Sequence, residues 1–353
     1  MKSLLRNLGL FAFFAPLAMS GHALAAEPAP KADPAGTYTL RIRTAAPEKS
    51  PWGELLLNVT DRVKRDVAEL NKKNPTKPIT LNVDIRWQTK SEAAAVRSCV
   101  DGKSSGIAVS LGALSASVPE LDATEIPYLF DNYTQADKAL TAAIPLMTEI
   151  LATKGFIFAV RGENGFRQWA SKTSFLTKPG DFSGRAMRSQ PSTVHKAMYS
   201  ALGATPNPLQ ISDVPTSLTN GVVDGYDNTL LFARLANWTE SIKYVTLSNH
   251  IYQGAAVVWC NAWFKDLPPE LKTILTKRDA EVATTEATGL KLVRVFNDKL
   301  MPAQYKKAGM EIKEISAAER AALKTALAGV ETGFEKSTSE QGRKLLKLLK
   351  SNR

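Results

Sequence analysis

The chain has 353 residues, with 45 Lys and Arg against 34 Asp and Glu, and a net charge of +11 at neutral pH. This length is sufficient for two domains of ordinary size. The basic residues are scattered along the chain and cluster only at its C-terminus, so the charge gives no signature of nucleic-acid binding. We therefore expect no nucleic-acid partner.

The first 25 residues have the pattern of a secretory signal peptide. Basic residues precede an apolar core, Leu8–Ala18, and Ala23–Ala25 is an A-x-A cleavage pattern. The alternative is a membrane anchor, but the apolar core is short for a spanning helix, which needs roughly 20 residues. Residues 26–36, rich in Ala and Pro, predict a disordered lead-in. We expect cleavage at this site and an exported mature protein.

Strand and helix patterns alternate in the part that follows. Tyr38–Arg43 alternates apolar and polar side chains, as a strand does, whereas Leu55–Asn71 has helical spacing. This order predicts an α/β fold built on a parallel sheet. The predicted elements are strands at 38–43, 79–87, 106–111 and 156–161 and helices at 55–71, 91–100 and 133–154.

The second half continues the α/β pattern and ends in helices. Residues 184–191 predict a strand, residues 203–208 a loop, and Gly221–Asn228 another strand. Two more strands are predicted at 244–247 and 255–260, and helices at 212–220, 268–299 and 316–335. The tail Arg343–Lys350 is amphipathic, and we expect its Leu face to pack on the body; the alternative is membrane binding.

Cys99 and Cys260 are the only cysteines in the chain. An exported protein can form a disulfide between them, because its compartment is oxidising. The alternative is two separately buried thiols, and the sequence does not decide between them, since it does not place their Cα atoms.

The catalytic motifs in the sequence lack the context that each would need. Ser104 lies in a G-x-S-x-G pattern, but a helix precedes it and a strand follows, the reverse of a nucleophile elbow. His195 and His250 have no partnered nucleophile in the pattern, so we interpret both as structural. Asp224 and Asp227 could form an acid–base pair, but we prefer a turn aspartate and a strand-end aspartate. No zinc motif is present, and we expect no metal or cofactor.

Two arginines and an asparagine form a candidate anion receptor. Arg188 lies in an apolar strand pattern, and Arg167 ends a strand-like segment. An arginine on a buried strand needs an anion, because an unpaired buried charge is costly. Its fork of N–H donors matches a carboxylate, and Asn228 can add a neutral donor. The alternative for any single arginine is a solvent-exposed face. We predict that the protein binds a small organic anion.

At these residues the chain resembles a known family. It is similar to the DctP-type substrate-binding proteins of tripartite ATP-independent periplasmic (TRAP) transporters. The resemblance covers the whole mature chain. The stretches that carry it are Gly184–Arg188, Leu202–Pro208, Ser212–Val214, Gly221–Asn228, Thr246–His250, Ile126–Phe130 and Leu267–Glu270.

The resemblance implies roles for individual residues. Arg188 falls on the arginine that forms the main carboxylate salt bridge, Arg167 on a second, earlier arginine, and Asn228 on the closing asparagine. This chain has Tyr226-Asp227 where the family usually has Gln-Glu, and Pro191 argues against a sialic acid. For the cavity wall we name five candidates, for each of which core packing is the alternative. They are Trp87, Tyr128, Trp169, Ile211 and Trp259.

The resemblance also implies an architecture and partners. We expect a two-lobed periplasmic binding protein fold with hinge strands and a long helix spanning both lobes. The predicted lobes are residues 37–164 with 255–295, and residues 165–254 with 296–353. We expect a monomer that delivers an organic acid to the membrane subunits of a TRAP transporter and performs no chemistry. The alternatives are a secreted hydrolase or a solute sensor for a membrane receptor.

Overall fold

The structure, a computed structural model, describes Pro30 and residues 36–353. The predicted signal peptide lies outside the described residues, as does most of the predicted lead-in. Within the described part, no helix is long and apolar enough to cross a membrane.

One mixed sheet runs through the described residues, with strand order β2-β1-β3-β8-β4-β7-β5-β6, and β9 pairs with β8. The β1–β2, β1–β3, β5–β6, β5–β7 and β8–β9 pairs are parallel, whereas β8 is antiparallel to β3 and β4, and β7 is antiparallel to β4. The strands are β1 (Thr37–Thr44), β2 (Thr80–Arg86), β3 (Gly106–Ser110), β4 (Phe156–Ser171), β5 (Ala186–Ser189), β6 (Thr205–Pro208), β7 (Gly225–Asn228), β8 (Tyr244–Cys260) and β9 (Glu311–Glu314).

The two long strands β4 and β8 connect two half-sheets. β3 pairs with the end of β8, from Ala255 to Trp259, whereas β9 pairs with its start, from Tyr244 to Leu247. On β4, only the last part, from Gln168 to Ser171, pairs with β7. The β4–β8 register shifts at three places, one of them between Glu163 and Gly165. The separate strands predicted at 244–247 and 255–260 are therefore two ends of one strand, β8.

Helices cover both faces of the sheet. Ser50 caps α1 through a bond from the Gly53 amide, and Ser316 with Glu319 forms the predicted capping box of α12. The helices are α1 (Pro51–Lys73), α2 (Glu92–Val100), α3 (Leu111–Leu114), α4 (Tyr133–Thr153), α5 (Thr193–Ala201), α6 (Val214–Thr219), α7 (Leu230–Leu235), α8 (Asn261–Phe264), α9 (Pro269–Thr276), α10 (Ala280–Val295), α11 (Met301–Lys307), α12 (Ala317–Ser337) and α13 (Glu340–Ser351).

The single helix predicted at 268–299 is wrong. Lys277 is extended after α9, and the Asp279 side chain accepts a bond from the Val282 amide, which starts α10 as a new helix. A π-helical turn, Phe296–Leu300, then joins α10 to α11. α10 packs on α1 and β4, and α11 packs on α7 and β9. This helical run therefore passes from the first predicted lobe to the second.

The predicted loop at 203–208 also differs, because its second part forms the edge strand β6. Its two prolines, Pro206 and Pro208, are tolerated there, since an edge strand needs fewer backbone donors.

The C-terminal helix packs on the body of the protein, as its Leu face predicted. Leu345, Leu346 and Leu349 are buried, and α13 packs against α4 and the short helix Pro119–Glu125. α12 packs against α5. Since α4 belongs to the first predicted lobe and α5 to the second, the C-terminal helices contact both.

The two cysteines form a disulfide. The Cα atoms of Cys99 and Cys260 are 5.1 Å apart, and the bond joins the end of α2 to the end of β8. The structure thus decides between the two alternatives that the sequence left open.

We predict that reduction of this disulfide destabilises the protein. The bond closes a loop with a sequence separation of 161 residues, and its loss should lower the free energy of unfolding by about 2–5 kcal/mol, because the unfolded chain gains conformational freedom. Urea unfolding with and without reductant measures this. A Cys99→Ala/Cys260→Ala variant should have the unfolding midpoint of the reduced protein, and reductant should not change that midpoint. An unchanged midpoint after confirmed reduction would contradict the prediction.

Candidate functional site

A polar cavity, with about 230 Å³ of empty space including its open side, lies where several strands end. β5 and β7 bring Arg188 and Asn228 to the same edge of the sheet, the edge at which α/β folds bind ligands. The middle of β4 and β8 forms the floor. The lining residues are Glu92, Asn164, Arg167, Arg188, Gln190, Ile211, Asn228, Phe232, Trp238 and Gln253.

Arg188 is a buried cation held by neutral groups. Its Nε and Nη2 donate to the Leu209 carbonyl at 3.3 and 3.1 Å. Its guanidinium lies 4.7 Å from the centre of the Trp238 ring, a cation–π contact. Trp238 is itself fixed, since its Nε1 donates to the Ile211 carbonyl. The side chain of Arg188 is thus oriented before any ligand binds.

The charge of Arg188 is not compensated by a carboxylate. Among residues 36–353, no Asp or Glu forms an ion pair with it, although it is only 3% exposed. Burial, followed by repulsion from Arg167, lowers the pKa of Arg188 to about 10. Arg188 remains charged at neutral pH, so the cavity favours an anion.

Arg167 lines the same cavity, but its charge is already compensated. It forms a buried ion pair with Asp227 and donates to Gln253 Oε1 at 2.8 Å. Tyr199 donates its hydroxyl to the other Asp227 oxygen at 2.8 Å. Burial opposes ionisation of Asp227, but the charge of Arg167 and a hydrogen bond from His250 hold the pKa of this carboxyl well below its usual value. Arg167 therefore differs from Arg188 in having its own counter-ion.

Neutral amides complete the polar wall. Asn228 Oδ1 accepts from the Thr229 amide at 2.8 Å and from Arg167 at 3.4 Å. Both bonds use the oxygen, which leaves the Nδ2 group as the donor that Asn228 can offer a ligand. Gln253 Nε2 donates to Gln190 Oε1 at 2.8 Å, so the two glutamines are held by each other.

Glu92 is the one carboxylate of the polar cavity's described lining. Its oxygens accept from the Ser110 amide at 2.8 Å and from the Ser110 hydroxyl at 3.0 Å. Burial raises the pKa of Glu92 above its ordinary value. The bonds from Ser110 fix the carboxyl group at the first residue of α2.

A second, larger cavity adjoins the polar one. It contains about 520 Å³ of empty space, including its open side, and shares Glu92, Asn164 and Phe232 with the polar cavity. Its remaining wall is mostly apolar and comes from α1, β3 and β8. The two cavities together combine a charged end with an apolar wall.

The structure brings Arg167, Arg188, Asn228 and Ile211 together at the polar cavity. The other four predicted wall residues are absent from the described lining of both cavities. Three of them, Tyr128, Trp169 and Trp259, are buried, and Trp87 is half-buried. Their contact with a solute stays a prediction.

Each of these four aromatic residues has a packing partner away from the cavity. Trp169 stacks on His250 with ring centres 4.0 Å apart, and Tyr128 lies under the guanidinium of Arg320. Trp259 is fully buried and donates to a helix carbonyl, and Trp87 packs on the cluster around β1 and α1.

The candidate catalytic residues form hydrogen bonds or contacts with other groups of the fold. Ser104 Oγ contacts Ser98 Oγ at 2.8 Å and accepts from Arg43. His195 contacts Glu125 at 2.6 Å. Asp224 accepts from the amide of Ala186, the first residue of β5. Within the described residues, no cluster of His, Cys, Asp or Glu could hold a metal ion.

Sequence reasoning missed the other six lining residues of the polar cavity, which are Glu92, Asn164, Gln190, Phe232, Trp238 and Gln253. Gln190 could have been found, because it follows Arg188 by two positions and alternate residues of a strand share a face. Trp238 and Gln253 reach the cavity from distant segments, and no local pattern marks them.

The comparisons with known proteins assign the family. The model for the family of bacterial extracellular solute-binding proteins, family 7 (DctP), matches residues 65–337. The chain belongs to this family, so the resemblance noted in the sequence is confirmed. The family is a class of solute-binding proteins.

Two relatives and one solved structure illustrate the similarity. The C4-dicarboxylate-binding periplasmic protein DctP of Rhodobacter capsulatus is 34% identical over 60% of this chain and 63% of its own length. A solute-binding protein of Verminephrobacter eiseniae is 31% identical over 64% of this chain and 66% of its own length. The chain thus aligns with less than two thirds of each relative.

The solved structure is a TRAP periplasmic solute-binding protein of Desulfovibrio salexigens with bound orotic acid. It aligns with 89% of this chain and 98% of its own at 20% identity, with a TM-score of 0.79. This similarity confirms the predicted two-lobed α/β fold.

We predict that His250 makes stability depend on pH. Burial lowers the pKa of His250 to about 4, against the pull of Asp227, whereas an unfolded histidine titrates near 6.5. Between these values only the unfolded chain takes up this proton, so the free energy of unfolding should fall as pH is lowered from 6.5 to about 4. The loss is at most about 3 kcal/mol.

Urea unfolding of wild type and His250→Gln across pH 7.5 to 4 measures this effect. Arg167, Asp227 and His195 surround His250 and are present in both proteins, so the difference in slope isolates His250. Identical pH profiles for the two proteins would refute the prediction.

Proposed function

We propose that this protein is the periplasmic solute-binding subunit of a TRAP transporter and captures a small organic acid by its carboxylate. The observation that carries the proposal is Arg188, a buried guanidinium at the ends of the sheet strands with no carboxylate partner among the described residues. A ligand carboxylate would supply the missing charge and accept two N–H groups of the fork at once.

Charge and donors in the polar cavity support a carboxylate over a neutral solute. Arg188 offers a fixed fork, Asn228 offers an amide donor, and Arg167 lies beside them with its charge compensated by Asp227. The solutes in the names of the related proteins, a C4-dicarboxylate and orotic acid, both carry a carboxylate. The carboxylate is therefore the group that we expect this chain to recognise.

We propose that two lobes close over the solute by bending at β4 and β8. The lobes are residues 37–164 with 255–295, and residues 165–254 with 296–353. The division of the sheet into two half-sheets along β4 and β8 supports this. Contacts between the predicted lobes, Ser91 with Gln210 and Trp52 with Phe232, would break on opening.

We propose that the protein acts as a monomer, releases the solute chemically unchanged and delivers it to membrane subunits. Its family is described as extracellular, and the curated DctP relative as periplasmic, which supports export by the predicted signal peptide. A role as a sensor subunit differs only in the membrane partner. Uptake of labelled solute by vesicles that contain the membrane subunits distinguishes transport from sensing.

We predict that Arg188→Met weakens carboxylate binding by about 2–5 kcal/mol, which is roughly 30-fold to several thousand-fold, because the buried anion loses its partner. The affinity of Arg188→Lys should lie between those of wild type and Arg188→Met, since lysine keeps the charge but lacks the fork of N–H donors. A thermal-shift screen of organic acids identifies a ligand, and calorimetry measures its affinity.

The matched control is Arg65→Met, since Arg65 is exposed on α1 and pairs with Glu281. It should bind like wild type. Without ligand, Arg188→Met should unfold at the same temperature as wild type or higher, because an uncompensated buried charge is removed. Unchanged affinity of Arg188→Met, or its failure to fold, would refute the proposed role of Arg188.

A further inference from the structure

The two adjoining cavities differ in chemistry, and this difference limits the solute. The polar cavity holds Arg188 and Asn228, whereas the larger cavity begins at Glu92, Asn164 and Phe232, the residues that both share. A carboxylate bound at Arg188 would therefore direct the rest of its molecule past these three residues and into the larger space.

The wall of the larger cavity is apolar. Helix α1 contributes Trp52, Leu55 and Leu56, and strands β3 and β8 contribute Val109 and Val257. Trp52 is fixed, because its Nε1 donates to the Glu163 carbonyl at 2.7 Å and its ring packs edge-on against Phe232. A hydrocarbon or aromatic body would gain free energy by leaving water for this wall.

A second charged group would find no partner in the larger cavity. Among the described residues that line it, none is Lys or Arg, and the one ionisable side chain is the carboxyl group of Glu92. A second carboxylate would lose its hydration, gain no cation and lie beside another carboxyl group. The hydroxyl groups of a sugar acid would also find few hydrogen-bond partners. Besides Glu92, the polar side chains of the described lining are Thr44, Ser110 and Asn164.

We propose that the solute is a monocarboxylate with an apolar body, which places its carboxylate at Arg188 and its body against α1, β3 and β8. This proposal rests on the proposed function of solute capture at Arg188. It adds that the larger cavity selects against dicarboxylates and sugar acids.

The test is calorimetry with acids of matched carbon number. Butanoate is compared with succinate, and hexanoate is compared with adipate and with gluconate. Acetate and 3-phenylpropanoate extend the monocarboxylate series to a smaller and a larger apolar body. Affinity should rise by about fourfold for each added methylene that is buried. Hexanoate should bind at least about tenfold more tightly than adipate or gluconate, because the extra polar groups of those acids lose water without gaining partners.

Glu92→Gln tests the selection directly. It replaces the carboxyl group by a neutral amide and should narrow the difference in affinity between hexanoate and adipate by roughly fivefold. Glu54→Gln is the matched control, since Glu54 is exposed on α1, and it should leave this difference unchanged.

The outcomes separate the two proposals. If adipate, succinate or gluconate binds more tightly than its matched monocarboxylate and binding is lost in Arg188→Met, the apolar-body proposal is wrong while capture at Arg188 stands. If affinity does not rise with chain length, the apolar-body proposal is also wrong. If none of these acids binds, or if Arg188→Met binds them like wild type, the proposed function itself fails.

Discussion

The cavity is organised by an uncompensated buried charge. Arg188 and Arg167 line the same small space, and burying a guanidinium without an anion is costly. Asp227 removes this cost for Arg167 through a fully buried ion pair. Arg188 donates to a carbonyl and faces an indole ring, and no carboxylate of the described residues forms an ion pair with it. The architecture around the strand ends therefore keeps one positive charge available for an anion that comes from outside.

Arg167 contributes to the candidate site through its hydrogen-bond partners and through the electrostatic effect of its charge. Arg167 binds Asp227 and Gln253, which ties β4, β7 and β8 together under the cavity. Its charge also repels Arg188 and helps to lower the pKa of that group. A preorganised polar floor of this kind reduces the ordering cost of binding. The same strands form the connection between the half-sheets, so the recognition site and the proposed hinge share their backbone.

Much of the site could be predicted from local pattern. Arg188 was found because an arginine inside an apolar strand needs an anion, and Asn228 because a glycine-marked strand ends there. Trp169 and Trp259, two residues of the predicted aromatic wall, are fully buried and absent from the described cavity lining. The sequence does not separate the two cases, since a tryptophan in an apolar stretch can line a cavity or fill the core. The helix predicted at 268–299 failed at Asp279, where a side-chain cap outweighed continuous helical periodicity.

The sequence by itself determined the alternation of strands and helices, the residues of the candidate anion receptor and the family, because periodicity and short motifs are properties of neighbouring residues. Tertiary structure decided what depends on distant residues meeting. It joined Cys99 to Cys260 across 161 positions. It also paired Asp227 with Arg167 as a buried ion pair and placed the Trp238 ring against Arg188. These pairings follow from the packing of the whole sheet, since charge compensation and burial are set by three-dimensional neighbours.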